Sequence, residues 1–288
     1  MDTEPEETRL PLGVAVRWSD QVFQKCLHAA PQPARDDFPS LALFRHIIKM
    51  ADGIQLLLSA GSSEPTIPLL RSMLEALFSL KYIHLDNYRQ RSLCWLYAYI
   101  DQEIAFKEKI NTDSESGKKL GAVLAAEHDI VLANLAPSGS RIIDHIAELR
   151  DHLKHPDLEQ IEKEYAGLQQ QDRSHRPPRW YKLFSGPKNI YKLAEAVEMG
   201  SEYKVYYEWW STMVHGTDAA RLLLQQEDGV AEFKQLRSLE YPEREAQGAE
   251  LFLQLACQLM VRKFLRKGDL EELLRHFDLK AVEEREHL

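Results

Sequence analysis

The chain reads as an all-α multi-helix bundle. Apolar residues recur at helical three-and-four spacing along most of its 288 residues, and period-two alternation is scarce. Gly61, Pro65, Pro137, Gly139 and Gly268 fall at the ends of periodic runs, where helices start or stop. Hydrophobic residues make up 44% and charged residues 28%, ordinary globular usage that can supply a core.

The elements follow in order. Over residues 41–60, Leu43, Ile47, Ala51 and Leu58 mark one apolar face, and Gly61 stops the helix. Ser63 is the expected cap of the next helix, with Pro65 in its first turn, and that helix runs to about Leu85. Residues 89–110 carry Leu93, Leu96, Ile100 and Ile104. The polar stretch TDSESGKK after Asn111 is expected as an exposed connection, followed by a helix over 120–135 ended by Pro137 and Gly139. Residues 142–153 are amphipathic on Ile142, Ile146, Leu149 and Leu153; Pro156 interrupts, and a further helix spans 158–170. A loop with two adjacent prolines covers 171–186, then helices resume over 188–199 and 202–214. Residues 225–242 leave room for a short strand pair, and helices over 243–266 and 270–277 complete the set. No repeat at a solenoid period is present. The chain therefore divides into an N-terminal helical extension (1–35), a helical core (36–225) with a basic loop at 171–187, and a C-terminal helical region (226–288) packed on the core.

A net charge of -9 excludes a generally basic, nucleic-acid-coating surface but leaves local patches open. Cys26, Cys94 and Cys257 are far apart and odd in number, which fits a reducing compartment and neither a disulfide framework nor a zinc site. The opening MDTEPEETRL is acidic where a secretory signal would be basic and then apolar. The most apolar segment, 67–83, is broken by Arg71, Glu75 and Lys81, so it cannot serve as a membrane span of roughly 18–20 residues. A cytoplasmic location without membrane contact is expected. The chain holds no Gly-rich phosphate loop, dinucleotide fingerprint, HExxH or CxxC, and no cofactor is expected.

Four constellations could carry chemistry. In LLRSMLEALFSL, apolar on nearly all sides, Arg71 and Glu75 stand four apart and share a face. A charge there needs a partner, so the pair either fixes helix docking or lines a polar cleft with Arg71 open to an anion. In EYKVYYEWWSTMVHGTD, Tyr207, Ser211 and His215 form a stripe, and His215 falls in a last turn, which favours the imidazolium. The alternative is a histidine that caps terminal carbonyls, with Trp209 and Trp210 as core or interface aromatics. Ser211 beside His215 lacks the third orienting group and the nucleophile elbow of a hydrolase. His145, Glu148, His152 and His155 could face one way and hold a metal, but their spacing matches no zinc motif and a solvated face is expected. The loop DRSHRPPRWYKLFSGPK sets Arg173, Arg176, Arg179, Lys182 and Lys188 among Trp180, Tyr181 and Phe184, a mixture suited to phosphate contacts and base stacking. It suits equally a loop pinned to an acidic body by cation–π contacts and ion pairs.

Taken together, IPLLRSMLEALFSLKYI, RWYKLFSGPKNIYKLAEAV and YKVYYEWWSTMVHGT resemble the recurring blocks of a bacterial family of unknown function, DUF5677, over about residues 40–220. More distantly, the chain is similar to the HEPN superfamily of helical bundles, many of them ribonucleases with an Arg and a His near the end of one helix, often across a dimer. That similarity implies a HEPN-like core with His215 at the family's histidine. The arginine has no counterpart on that helix; Ser211 stands near its place, and Arg71 on another helix would have to substitute. What it implies is a metal-independent ribonuclease serving stress or phage defence. His215 would be the general acid or base, Arg71 would stabilise phosphoryl charge with Glu75 orienting it, and the basic loop would hold RNA. The competing reading is a non-enzymatic sensor or partner-binding module, in which Arg71, Glu75, Ser211 and His215 form a buried polar network. Under either, the long apolar helices and the paired tryptophans suit a homodimer.

Overall fold

In the computed structural model of the chain, the structure describes residues 11–30, 34–128, 140–172, 176–214, 223–225, 231–233, 235–237, 243–266 and 268–269. Proline and glycine punctuate its first helices much as the sequence requires. Helix α1 (Pro11–Ala29) is followed by α2 (Phe38–Ser59), which takes Pro39 in its first turn. Gly61, at φ 70°, then ends α2: its N–H reaches the Leu58 carbonyl at 2.9 Å and the Ser62 N–H reaches Leu57 at 2.8 Å. This is the Schellman arrangement, and it satisfies two carbonyls that the helix end would orphan. Helix α3 (Thr66–Leu85) starts without the expected side-chain cap, because Ser63 Oγ turns to Glu64. Ser63 instead offers its carbonyl to the Thr66 N–H at 2.9 Å and the Thr66 hydroxyl at 2.6 Å.

The chain forms two compact units, residues 1–88 with 187–288, and residues 89–186. In the first, α1, α2, α3 and α11 (Glu243–Phe264) pack on one another. Phe44, Ile47, Ile54, Leu70, Met73, Leu74, Leu77, Phe78, Leu80, Ile83 and Phe252 are sealed from solvent. Each contributes roughly 1.5–3 kcal/mol of burial, so removing α1 or α11 would expose a face the bundle cannot leave wet. Helix α1 belongs to this core through Leu12, Trp18, Val22 and Cys26. Short helices α8 (Ile190–Ala196) and α10 (Glu208–Val214) lie along α3; between them α9 (Gly200–Glu202) packs on α8, and a π-helical turn, Tyr203–Tyr207, joins α9 to α10.

The second unit is built on α4 (Tyr88–Ile110), α5 (Glu115–His128), α6 (Ser140–Leu153) and α7 (Glu159–Gln171). Its core gathers Leu93, Leu96, Tyr97, Ile100, Ile142, Ile146, Ile161, Tyr165 and Leu183, with Leu149 and Leu153 packed against it. The anticipated stripe of α6 is therefore the face that α6 buries. The polar run after Asn111 is shorter than expected as a connection. Ser114 caps α5, its Oγ accepting the Gly117 N–H at 2.9 Å and its carbonyl the Lys118 N–H at 2.9 Å. Gly117 presses so closely on this turn that a Cβ would lie 1.8 Å from the Asn111 carbonyl oxygen. Pro156 opens a 3₁₀ turn (Pro156–Leu158) that leads into α7, as a proline ending one helix and starting the next does.

The bundle carries one small departure from all-α structure among the described residues. Strands β1 (Leu223–Gln225) and β2 (Ala231–Phe233) pair antiparallel, Leu223 opposite Phe233, at the front of the section where a strand pair had room. The helix expected over 270–277 lies outside the described residues. No helix among them is long and apolar enough to cross a membrane.

Candidate functional site

Arg71 and Glu75 project from one face of α3, four residues apart, toward the π-helical turn of the first unit. That turn delivers Tyr207 between them. Arg71 Nη2 donates to Tyr207 Oη at 2.8 Å, and Tyr207 Oη donates onward to Glu75 Oε1 at 2.9 Å. Arg71 Nε lies 3.2 Å from the same carboxylate oxygen, an ion-pair distance, but its N–H misses hydrogen-bond geometry and is buried. The guanidinium also sits over the Tyr207 ring, 4.6 Å from its centroid. Ring stacking continues outward. Tyr207 stacks on Tyr203 at 4.7 Å, Tyr203 packs against Tyr191 at 5.1 Å, and the ammonium groups of Lys192 and Lys204 lie over Tyr191. Asn189 fixes Tyr191 in place by capping α8, its Oδ1 accepting the Lys192 N–H at 2.9 Å.

Exposure grades across the triad. Tyr207 is 8% exposed, the Arg71 side chain 20% and the Glu75 side chain 43%, so the site reaches water on the carboxylate side. Burial works against the Arg71 charge, yet the Tyr207 oxygen and the Glu75 carboxylate outweigh it and hold the guanidinium above its usual range. Burial also raises the Tyr207 phenol and Glu75 adds to that rise, with Arg71 opposing. Neither group changes charge near neutral pH. The phenol acts as a fixed relay, accepting from the cation and donating to the anion.

The remaining expected site residues fall elsewhere. Ser211 is half-buried, and its hydroxyl donates to the Tyr207 carbonyl at 2.8 Å, one turn back on its own helix. His215 lies outside the described residues, as does Arg173. In the second unit Arg176, Arg179 and Lys182 are exposed, while Trp180 packs partly buried against that unit's core and edge-on to Tyr181 at 5.8 Å. The loop turns through two left-handed non-glycine residues, Phe184 at φ 54° and Ser185 at φ 60°. Glu164 anchors it by accepting the Phe184 N–H at 3.0 Å. Lys188 is exposed and belongs to the first unit, just ahead of α8. On α6, His145 lies 3.6 Å from Glu148, and past its end His155 accepts the Asp157 N–H at 3.3 Å. Among the described residues no three His, Cys, Asp or Glu side chains gather as a metal would need.

A second polar cluster escaped sequence reading. Inside the first unit, Ser40 Oγ lies 3.0 Å from His84 Nε2, and Tyr88 Oη lies 3.2 Å from Ser40 Oγ and 3.1 Å from Asp37 Oδ1. Lys263 completes it, 3.6 Å from Asp37 and 3.8 Å from the Tyr88 ring centroid. Burial, reinforced by Lys263 against the pull of Asp37, lowers His84 to about 4, so the ring is neutral at pH 7 and hydrogen-bonded to Ser40. Ser40 is 0% exposed, which bars any substrate from this serine–histidine pair. No signal short of the fold could have grouped residues from four segments 37–40, 84, 88 and 263.

Fold and site together define a class: an all-α bundle whose long buried helix is tied by an Arg–Glu–Tyr triad to a π-helical turn. The chain belongs to a family of unknown function, DUF5677, whose model matches residues 37–231 and so takes in the whole triad. No curated protein and no solved structure matches it.

Proposed function

We propose that this chain is a non-enzymatic helical binding module, a sensor or partner-binding subunit, in which the triad is a structural clamp. The observation that carries the reading is the position of Tyr207 Oη, within 3 Å of both Arg71 Nη2 and Glu75 Oε1. Tyr207 Oη engages the cation and the carboxylate at once, and a guanidinium drawn into that relay is held back from a developing charge on a substrate. Ser211 supports the same view, since its hydroxyl serves its own helix.

The ribonuclease reading retains one favourable observation: Glu75 leaves the triad open to water on one side. Under it, Arg71 would leave Glu75 to meet phosphate while His215 moves the proton. One experiment separates the two. Purified chain is incubated with structured and unstructured RNAs, alongside His215→Ala and Arg71→Ala. The binding-module reading expects no cleavage by any of the three and a lowered melting temperature for Arg71→Ala. Cleavage by the wild-type chain that His215→Ala abolishes, with folding intact, would overturn it.

A further inference from the structure

The residues beside Tyr207 build a second feature. A cleft of about 230 Å³ lies between α3, the π turn with α10, and α11, walled by Leu70, Tyr206, Trp209, Trp210, Leu251 and Phe252. Its floor is rigid: Trp210 is held face-on by Tyr206 at 5.3 Å and edge-on by Phe252 at 6.4 Å. We propose that this cleft is a binding site for a small organic monocation of the alkylammonium class. The inference rests on the binding-module reading and names the ligand chemistry for it.

Four observations point the same way. Aromatic faces present negative charge density, and stacked indole and phenol rings are the side chains that best receive a bulky, weakly hydrated cation. The Trp209 face already receives a cation, the exposed Arg244 guanidinium 5.1 Å from its ring centroid, which the ligand would displace. Beside it Glu245 lines the cleft, partly buried, with no ion pair among the described residues, so a carboxylate stands ready for the ligand's charge. Finally, Gly248 sits inside α11, where glycine weakens a helix relative to alanine. Neither strain nor crowding calls for it: a Cβ there would meet only Leu70 Cδ2, at 3.9 Å, an ordinary contact. What the missing side chain leaves is the space of the cleft. A volume of about 230 Å³ falls below the roughly 300–1,000 Å³ of sites for drug-sized ligands, and so suits a single compact head group.

Calorimetric titration of the full chain with choline tests the proposal, against dimethylbutanol, its uncharged carbon isostere. Saturable binding of one choline per chain is expected, with the isostere at least about tenfold weaker because it lacks the charge. Gly248→Leu fills the cleft with a good helix former, and is expected to weaken choline binding at least about tenfold without lowering the melting temperature. If that variant fails to fold, Glu245→Gln decides, with a severalfold loss expected. No choline binding by wild type, equal binding of the isostere, or unchanged binding by a folded Gly248→Leu or by Glu245→Gln overturns the proposal. RNA cleavage would sink the non-enzymatic reading while leaving a positive choline result standing; absent choline binding would leave the triad's contribution to stability untouched.

Discussion

Tyr207→Phe isolates one oxygen atom at the centre of the triad. The ring remains, with its stacking on Tyr203 and its cover over Arg71, so the change removes only the bond from Arg71 at 2.8 Å and the bond to Glu75 at 2.9 Å. Hydrogen bonds to charged groups contribute about 1.5–3 kcal/mol each. The two do not count equally. Glu75 is 43% exposed and recovers its lost donor from water, whereas Arg71, 20% exposed, keeps only the misaligned Nε contact at 3.2 Å. The expected destabilisation is therefore near one bond's worth, about 1.5–3 kcal/mol. For units of this size, at roughly 2–4 °C per kcal/mol, the melting temperature should fall by about 3–12 °C. Circular dichroism melts and urea titrations of wild type, Tyr207→Phe, Glu75→Gln and the double variant read it directly. The cycle should show the two sites coupled by at least about 0.5 kcal/mol, as neighbours sharing one hydrogen bond are. A Tyr207→Phe midpoint within about 0.5 kcal/mol of wild type, together with additivity in the cycle, would refute the clamp. It would mean that the triad is maintained for a ligand.

Three further outcomes follow from the same structure. His84, lowered to about 4 when folded, binds fewer protons than in the unfolded chain near 6.5, so its contribution is full above pH 6.5, declines as pH falls toward 4 and levels below. That decline is worth about 3 kcal/mol, and urea midpoints across the window should fall less steeply in His84→Asn than in wild type; parallel profiles would remove His84 from the acid response. Gly117→Ala places a methyl group 1.8 Å from the Asn111 carbonyl oxygen, forcing the turn before α5 to open at a cost of about 1–3 kcal/mol or more, which thermal melts would register. Cys26 and Cys257, both 0% exposed with thiols pushed up to about 12, should resist alkylation in the folded chain and react fully in urea, and rapid labelling of either in native buffer would contradict their burial.

Helical periodicity carried most of the fold because each helix buries one face. The run of Leu43, Ile47, Ala51 and Leu58 became the inner face of α2, and the Ile142–Ile146 stripe became that of α6. Local conformation carried the stop at Gly61, where a left-handed residue is needed whatever the tertiary context. Errors gathered where tertiary contact or a single hydrogen bond outranked the local signal. Ser63 looked like a cap, but Pro65 and the Thr66 hydroxyl set the start of α3. Ser114 shortened an apparently open connection by capping α5.

The site was half legible for the same reason. Arg71 and Glu75 were visible as a pair because helical spacing alone places them on one face, and a charge inside an apolar helix demands company. Tyr207 was visible only as part of a stripe with Ser211 and His215, which assumed an uninterrupted α-helix. The chain instead passes through a π turn at 203–207, and the phenol faces Arg71 and Glu75 while Ser211 bonds its own backbone. A widened turn of this kind leaves no mark in hydrophobic spacing, yet it decides which side chain meets α3. Tyr203 extends the stack from the same π turn, four residues before Tyr207, whereas Tyr191 comes from α8 and shares no period with either. Thus the charge on α3 predicts that a partner exists, and only the path of the later helices says which residue it is. Were Glu208 presented to Arg71 in place of Tyr207, the clamp would lose the group that accepts from the cation and donates to the anion at once, because an ionised carboxylate only accepts.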